Sequence, residues 1–121
     1  MTDNALPLVD VGVLDALRES VGDDEEFVRD LVQTYVAEAS DHLDALAEAV
    51  GRGDAAAMVR PAHTLKSSSA SVGAMRLSDV CREIEAVSRE GQMEGLGQAV
   101  ADARSTWDAT LEALRQEGLA A

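Results

Sequence analysis

The chain has 121 residues, 46% of them apolar, with one phenylalanine, one tyrosine and one tryptophan and a net charge of −13. That length suits one domain with a modest core, built without disulfides or metal. The charge argues against nucleic acid and anionic membrane as partners, and the absence of a bilayer-length apolar run leads to a cytoplasmic expectation.

Cys81 is the single cysteine, so no internal disulfide framework exists. Two prolines and few β-branched runs favour helix, and no segment alternates with period two. Residues 1–9 read as a loose leader, with no signal peptide. Asp10 suits the cap of a short first helix, Val11 to Val21, and Gly22 suits its end. Asp23 or Asp24 caps a long second helix whose apolar stripe runs from Phe27 to Val50, and Glu25 and Glu26 suit its positive end. Gly51-Arg52-Gly53 stops it. The stripe has apolar residues on more than one side, so Val28 and Val32 fit either the core or an exposed rim.

Asp54 caps a third helix that runs to about Val72. Pro61 removes one backbone donor there and predicts a bend or loosening just before His63. The fourth helix spans about Ala74 to Glu90. The fifth starts near Met93, with Leu96, Val100, Ala103, Trp107, Leu111 and Leu114 on one side. Short links make successive long helices antiparallel. The expected fold is all-α: an antiparallel up-down four-helix bundle with an additional short N-terminal helix, one domain over residues 1–121.

The third helix carries the chemistry. His63, Lys66, Ser67 and Ala70 fall at i, i+3, i+4 and i+7 and share one face. Ala62, Leu65, Ser69 and Val72 form a neighbouring face that is small or apolar. The helix therefore buries one stripe and shows an imidazole and the chain's only lysine one turn apart, among small side chains. A lysine so placed suits the negative charge of a phosphoryl group on the ring. Arg60, Lys66, Arg76, Arg82 and Arg89 are gathered between positions 60 and 89, which suggests that a small anion is handled there. The bland readings are a surface histidine and a flexible serine linker; the phase of Leu65 and Val72 argues against the linker. His42 reads as a surface residue, Cys81 and Met58 as core, and Trp107 as the anchor of the last helix.

The run Ala62-His63-Thr64-Leu65-Lys66-Ser67-Ser68-Ser69, followed by Gly73-Ala74, Leu77, Cys81 and Ile84-Glu85, resembles the histidine-containing phosphotransfer (HPt) domains of phosphorelays. The resemblance implies a covalent carrier: His63 accepts a phosphoryl group from a receiver-domain aspartate and passes it to another receiver. It implies attack by Nε2, with Nδ1–H bonded elsewhere, and Glu85 as the residue that orients the ring; a solvated Glu85 paired with Arg89 is the competing reading. Arg89 matches a position where some members carry a phosphoryl-stabilising base.

The implied partners are response-regulator receivers and a hybrid sensor histidine kinase, and the protein is expected to be a monomer. The receiver supplies the Mg²⁺, so no metal or other cofactor is expected on this chain, which is a transfer intermediate rather than a turnover enzyme. Val59, Ser67, Ala70 and Ser71 are the expected docking residues. Ser67 departs from the family, which most often has Gly there. Two other readings stay open: a module that docks a receiver without carrying phosphate, and the phospho-accepting domain of a chemotaxis-type kinase. Met1 and the compact ends fit a stand-alone protein, and a piece of a hybrid kinase would read the same.

Overall fold

The computed structural model describes residues 6–121, and all of its regular structure is helical. Five helices follow one another: α1 (Val11–Ser20), α2 (Glu25–Arg52), α3 (Ala56–Ser71), α4 (Met75–Arg89) and α5 (Leu96–Gln116). Each long helix packs on its neighbours in sequence, and α5 closes the bundle by returning to α2. Two cross-links fix that closure. Arg29 near the start of α2 donates to the Gly118 carbonyl just past α5, and Arg104 pairs with Asp44 further along. The expected up-down bundle with a short first helix is the fold observed.

The boundaries follow the capping chemistry. The Asp10 carboxylate accepts from the Gly12 amide and the Asp24 carboxylate from the Phe27 amide, so each satisfies a donor that the first turn leaves open. α2 runs through Gly51 and ends only at Gly53, whose φ of 66° is left-handed. The Asp54 carboxylate accepts from the Ala57 amide at the start of α3. Pro61 does not interrupt that helix. A proline costs one rung of the ladder, and packing against both α2 and α4 holds α3 together through it. α5 begins three residues later than expected, at Leu96, because Gly95 takes a left-handed φ of 80°.

The core is a continuous apolar cluster contributed by all five helices. Leu43, Leu46, Met58, Leu65, Leu77, Ile84, Leu96 and Leu114 are its largest wholly buried side chains besides Leu14 and Leu119. Tyr35 and Trp107 meet edge to face with ring centres 5.6 Å apart. The Tyr35 hydroxyl shares a buried hydrogen bond of 2.7 Å with the Ser69 hydroxyl, which ties α2 to the buried side of α3. No buried side-chain polar atom among the described residues lacks a partner.

α1 lies over one end of the bundle. Arg18 bridges to Glu25 on α2, and the Asp10 amide donates to the Gly73 carbonyl at 2.7 Å. The leader expected to be loose over residues 1–9 is tied down where it is described. The Arg76 guanidinium donates twice to the Leu6 carbonyl, and the Arg76 amide donates to the Pro7 carbonyl. Residues 1–5 lie outside the described residues. Gly73 has a φ of 85°, and a Cβ there would stand 2.8 Å from the Asp10 carbonyl oxygen. Glycine at this turn therefore lets the leader cross the α3–α4 corner at close range. No helix among the described residues is long and apolar enough to cross a membrane.

Candidate functional site

The antiparallel register of α3 and α4 builds the site. The Ser78 hydroxyl donates to the Lys66 carbonyl at 2.9 Å, and Ala62, Leu65, Leu77, Cys81 and Ile84 are packed into the core from the two helices. That register brings Glu85 of α4 level with the turn of α3 that carries His63 and Lys66. The two helices hold these groups to a fixed separation, because both have buried stripes directly beneath them.

Three basic groups converge on Glu85. Its Oε2 lies 2.9 Å from Nδ1 of His63 and accepts from Arg89 at 2.7 and 3.0 Å. Its Oε1 lies 2.7 Å from Nζ of Lys66. The Glu85 side chain is only 8% exposed, whereas His63 is 54% exposed. Burial alone would raise the carboxyl pKa; hydrogen bonds from Lys66, then Arg89, with a smaller one from His63, overcome it and hold the group at about 2. The carboxylate is thus ionised at any physiological pH.

An ionised carboxylate only accepts hydrogen bonds, so the nitrogen facing it must carry a proton. In the neutral ring this places the proton on Nδ1 and the lone pair on Nε2. Nε2 has no protein partner among the described residues. The arrangement can therefore present one nucleophilic ring nitrogen to a partner, with tautomer and ring plane set from behind.

Of the docking residues expected, Ser67 and Ser71 are exposed, and Val59 and Ala70 are half-buried. The Ser71 and Ser68 hydroxyls turn back onto the Ser67 and Leu65 carbonyls of their own helix, which keeps this face low in relief. Val28 and Val32 are wholly buried, so the core alternative holds for both. The exposed large apolar residues of α2 are instead Phe27 and Leu31, at 46% and 38%. Leu31 lines a shallow groove with Leu17, Thr34, Tyr35, Ser68 and Val72, next to the small-residue face of α3. The sequence held the signal in the phase of the long stripe, but only packing on α3 and α5 chooses between its two sides.

The five cations do not converge. Arg76 is committed to the leader and Arg82 to Asp79, 2.8 Å away. Lys66 and Arg89 reach the group around His63 through Glu85, and Arg60 is exposed on α3 one turn before His63. Cys81 and Met58 are buried in the core, and burial pushes the Cys81 thiol up to about 12. His42 is half-buried on α2.

A family model described as the Hpt domain matches residues 30–117. The crystal structure of histidine-containing phosphotransfer protein B (HptB) from Pseudomonas aeruginosa PAO1 is similar, with a TM-score of 0.85 and 28% sequence identity. The match covers 94% of this chain and 96% of that one. Among curated proteins, none matches the chain.

Proposed function

This chain belongs to the Hpt family, a histidine phosphotransfer module of phosphorelays, and on that premise we propose that His63 is its phosphoryl carrier, loaded by the phospho-aspartate of one receiver domain and discharged to another. The observation that carries this reading is the exposed imidazole whose Nδ1 is held by Glu85 while Nε2 has no protein partner among the described residues. The Nε2 lone pair forms the new N–P bond in line with the breaking P–O bond. The electron pair of that bond leaves with the receiver's aspartate, and Nδ1 keeps its proton against Glu85.

Glu85 acts as the positioning residue. It also offsets the positive charge that the ring gains on phosphorylation. Lys66 and Arg89 fix Glu85 in its ionised form. Receivers dock over Ser67, Ala70 and Ser71, with Val59 at the margin, and extend onto Phe27 and Leu31 of α2. These side chains are small or apolar, so a receiver's apolar surface can approach the ring closely. The domain works as a monomer, upstream of a response regulator and downstream of a hybrid sensor histidine kinase.

The test is transfer from a radiolabelled phospho-receiver to wild type and to His63→Gln. Label on wild type, absent from the variant, lost in mild acid and kept in base, is the expected result. Binding of receivers with no transfer from any of them would replace the carrier with a docking module. Labelling by an isolated kinase core but never by phospho-receivers would point to the chemotaxis-type role.

A further inference from the structure

Nine of the ten basic side chains are already engaged. Arg18, Arg52, Arg82, Arg104 and Arg115 pair with carboxylates, Lys66 and Arg89 with Glu85, and Arg29 and Arg76 with backbone carbonyls. Arg60 alone among them has no ion pair or hydrogen bond among the described residues. In a chain of net charge −13 an unpaired guanidinium stands out, because carboxylates are abundant. Arg60 is also exposed, and it sits on α3 one turn before His63.

Its position relative to the ring is specific. Residues three apart on a helix have Cβ atoms about 5–6 Å from each other. Cα–Cβ bonds of both residues tilt toward the helix N-terminus, so Arg60 lies on the turn that the His63 ring covers, and its long side chain has to fold back toward the ring to meet a group on Nε2. The two other cations near the ring are drawn to the Nδ1 side, where Glu85 binds both. A phosphoryl group arriving at Nε2 brings its negative charge to the ring nitrogen that has no protein partner among the described residues, while Lys66 and Arg89 are held on Glu85.

We propose that Arg60 is a catalytic residue of the transfer, its guanidinium binding the oxygens of the phosphoryl group as it moves onto and off Nε2 of His63. The inference rests on His63 being the carrier. A planar guanidinium suits the task, since it donates two parallel hydrogen bonds to a phosphoryl group and stays charged at every working pH. Because it is exposed, it can turn toward the incoming group without breaking an existing contact, whereas Lys66 would have to leave Glu85.

The experiment uses phosphoramidate, a small donor that brings no protein surface of its own. Its P–N bond breaks as the Nε2–P bond forms, and the nitrogen leaves as ammonia. Acid-labile phosphate on wild type, Arg60→Gln, Arg60→Lys and the distant charge control Arg104→Gln is followed over time. Arg60→Gln should load roughly tenfold more slowly, Arg60→Lys should recover part of the rate, and Arg104→Gln should match wild type. Added salt should narrow the gap between wild type and Arg60→Gln. Equal loading of wild type and Arg60→Gln overturns the proposal, and slower transfer from a receiver alone would then assign Arg60 to partner docking. Wild type that takes no label at His63 would instead overturn the carrier reading itself.

Discussion

Glu85 reaches His63 across the α3–α4 interface, with 2.9 Å between Oε2 and Nδ1 for residues 22 apart in the chain. The carboxylate is nearly buried and the imidazole is mostly open, so the rigid partner disciplines the accessible one. Glu85→Gln keeps an acceptor oxygen but loses the charge, and the amide is free to flip. Loading of His63 should fall roughly ten- to a hundredfold. Nitrogen NMR of the free protein should show the Nδ1–H tautomer losing its dominance. Unchanged tautomer populations with unchanged loading would remove Glu85 from the mechanism.

Acid stability follows from the same carboxylate. Its folded pKa is depressed to about 2, below its ordinary value of 4.5. A depressed acid stabilises the fold above its unfolded pKa, and that contribution disappears as pH falls from about 4.5 toward 2. Wild type should lose stability across this window more steeply than Glu85→Gln in denaturant titrations. Parallel curves would mean that the carboxylate is not held by its partners.

Lys66 and Glu85 should behave as a coupled pair. Lys66→Ala alone loosens Glu85 and Glu85→Ala alone leaves Lys66 and Arg89 without their shared partner. A double-mutant cycle on stability should return a coupling of roughly 1 kcal/mol. A coupling near zero would show that the ion pair contributes little and that Arg89 alone suffices to anchor the carboxylate.

Neighbouring positions on α2 should separate binding from folding. Phe27→Ser with Leu31→Ser removes exposed apolar surface, so receiver affinity should drop roughly tenfold while the melting temperature holds. Val32→Ala empties a wholly buried site and should cost about 2 kcal/mol of stability. On α3, Ser67→Gly should be tolerated and Ser67→Phe should block docking. Transfer from a receiver that survives Phe at position 67 would place the docking face elsewhere.

Gly73→Ala should destabilise by about 1–3 kcal/mol. It forces a side chain into a left-handed φ and toward the Asp10 carbonyl. Thermal unfolding measures it, and a neutral result would mean that the leader can lift from the corner at little cost.

Much of this was legible in the chain itself. The i, i+3, i+4 spacing put His63, Lys66 and Ser67 on one face and Leu65 and Ser69 beneath it, and packing kept both assignments. Capping by Asp10 and Asp24 was local chemistry and came through intact. What depended on register between helices was not legible. The pairing of Arg89 with Glu85 is an i, i+4 relation that the sequence offers, but nothing in the order of residues reveals that Arg76 folds back on the leader or that His63 and Lys66 share that carboxylate with Arg89. The sidedness of α2 was hidden for a related reason: Phe27 and Val28 are both apolar and adjacent, and only the neighbouring helices decide which is covered.

The pairing of Tyr35 with Trp107 also determines what light can report. One tyrosine and one tryptophan make up the near-ultraviolet chromophores apart from Phe27, and both are buried in edge-to-face contact. Excitation of the tyrosine should pass to the indole, and the indole emission should be that of a dry site. The intrinsic signal will then follow unfolding of the whole bundle and stay silent when a receiver settles over His63. Watching that encounter needs a dye attached on the α3 face, or a tryptophan placed at Phe27.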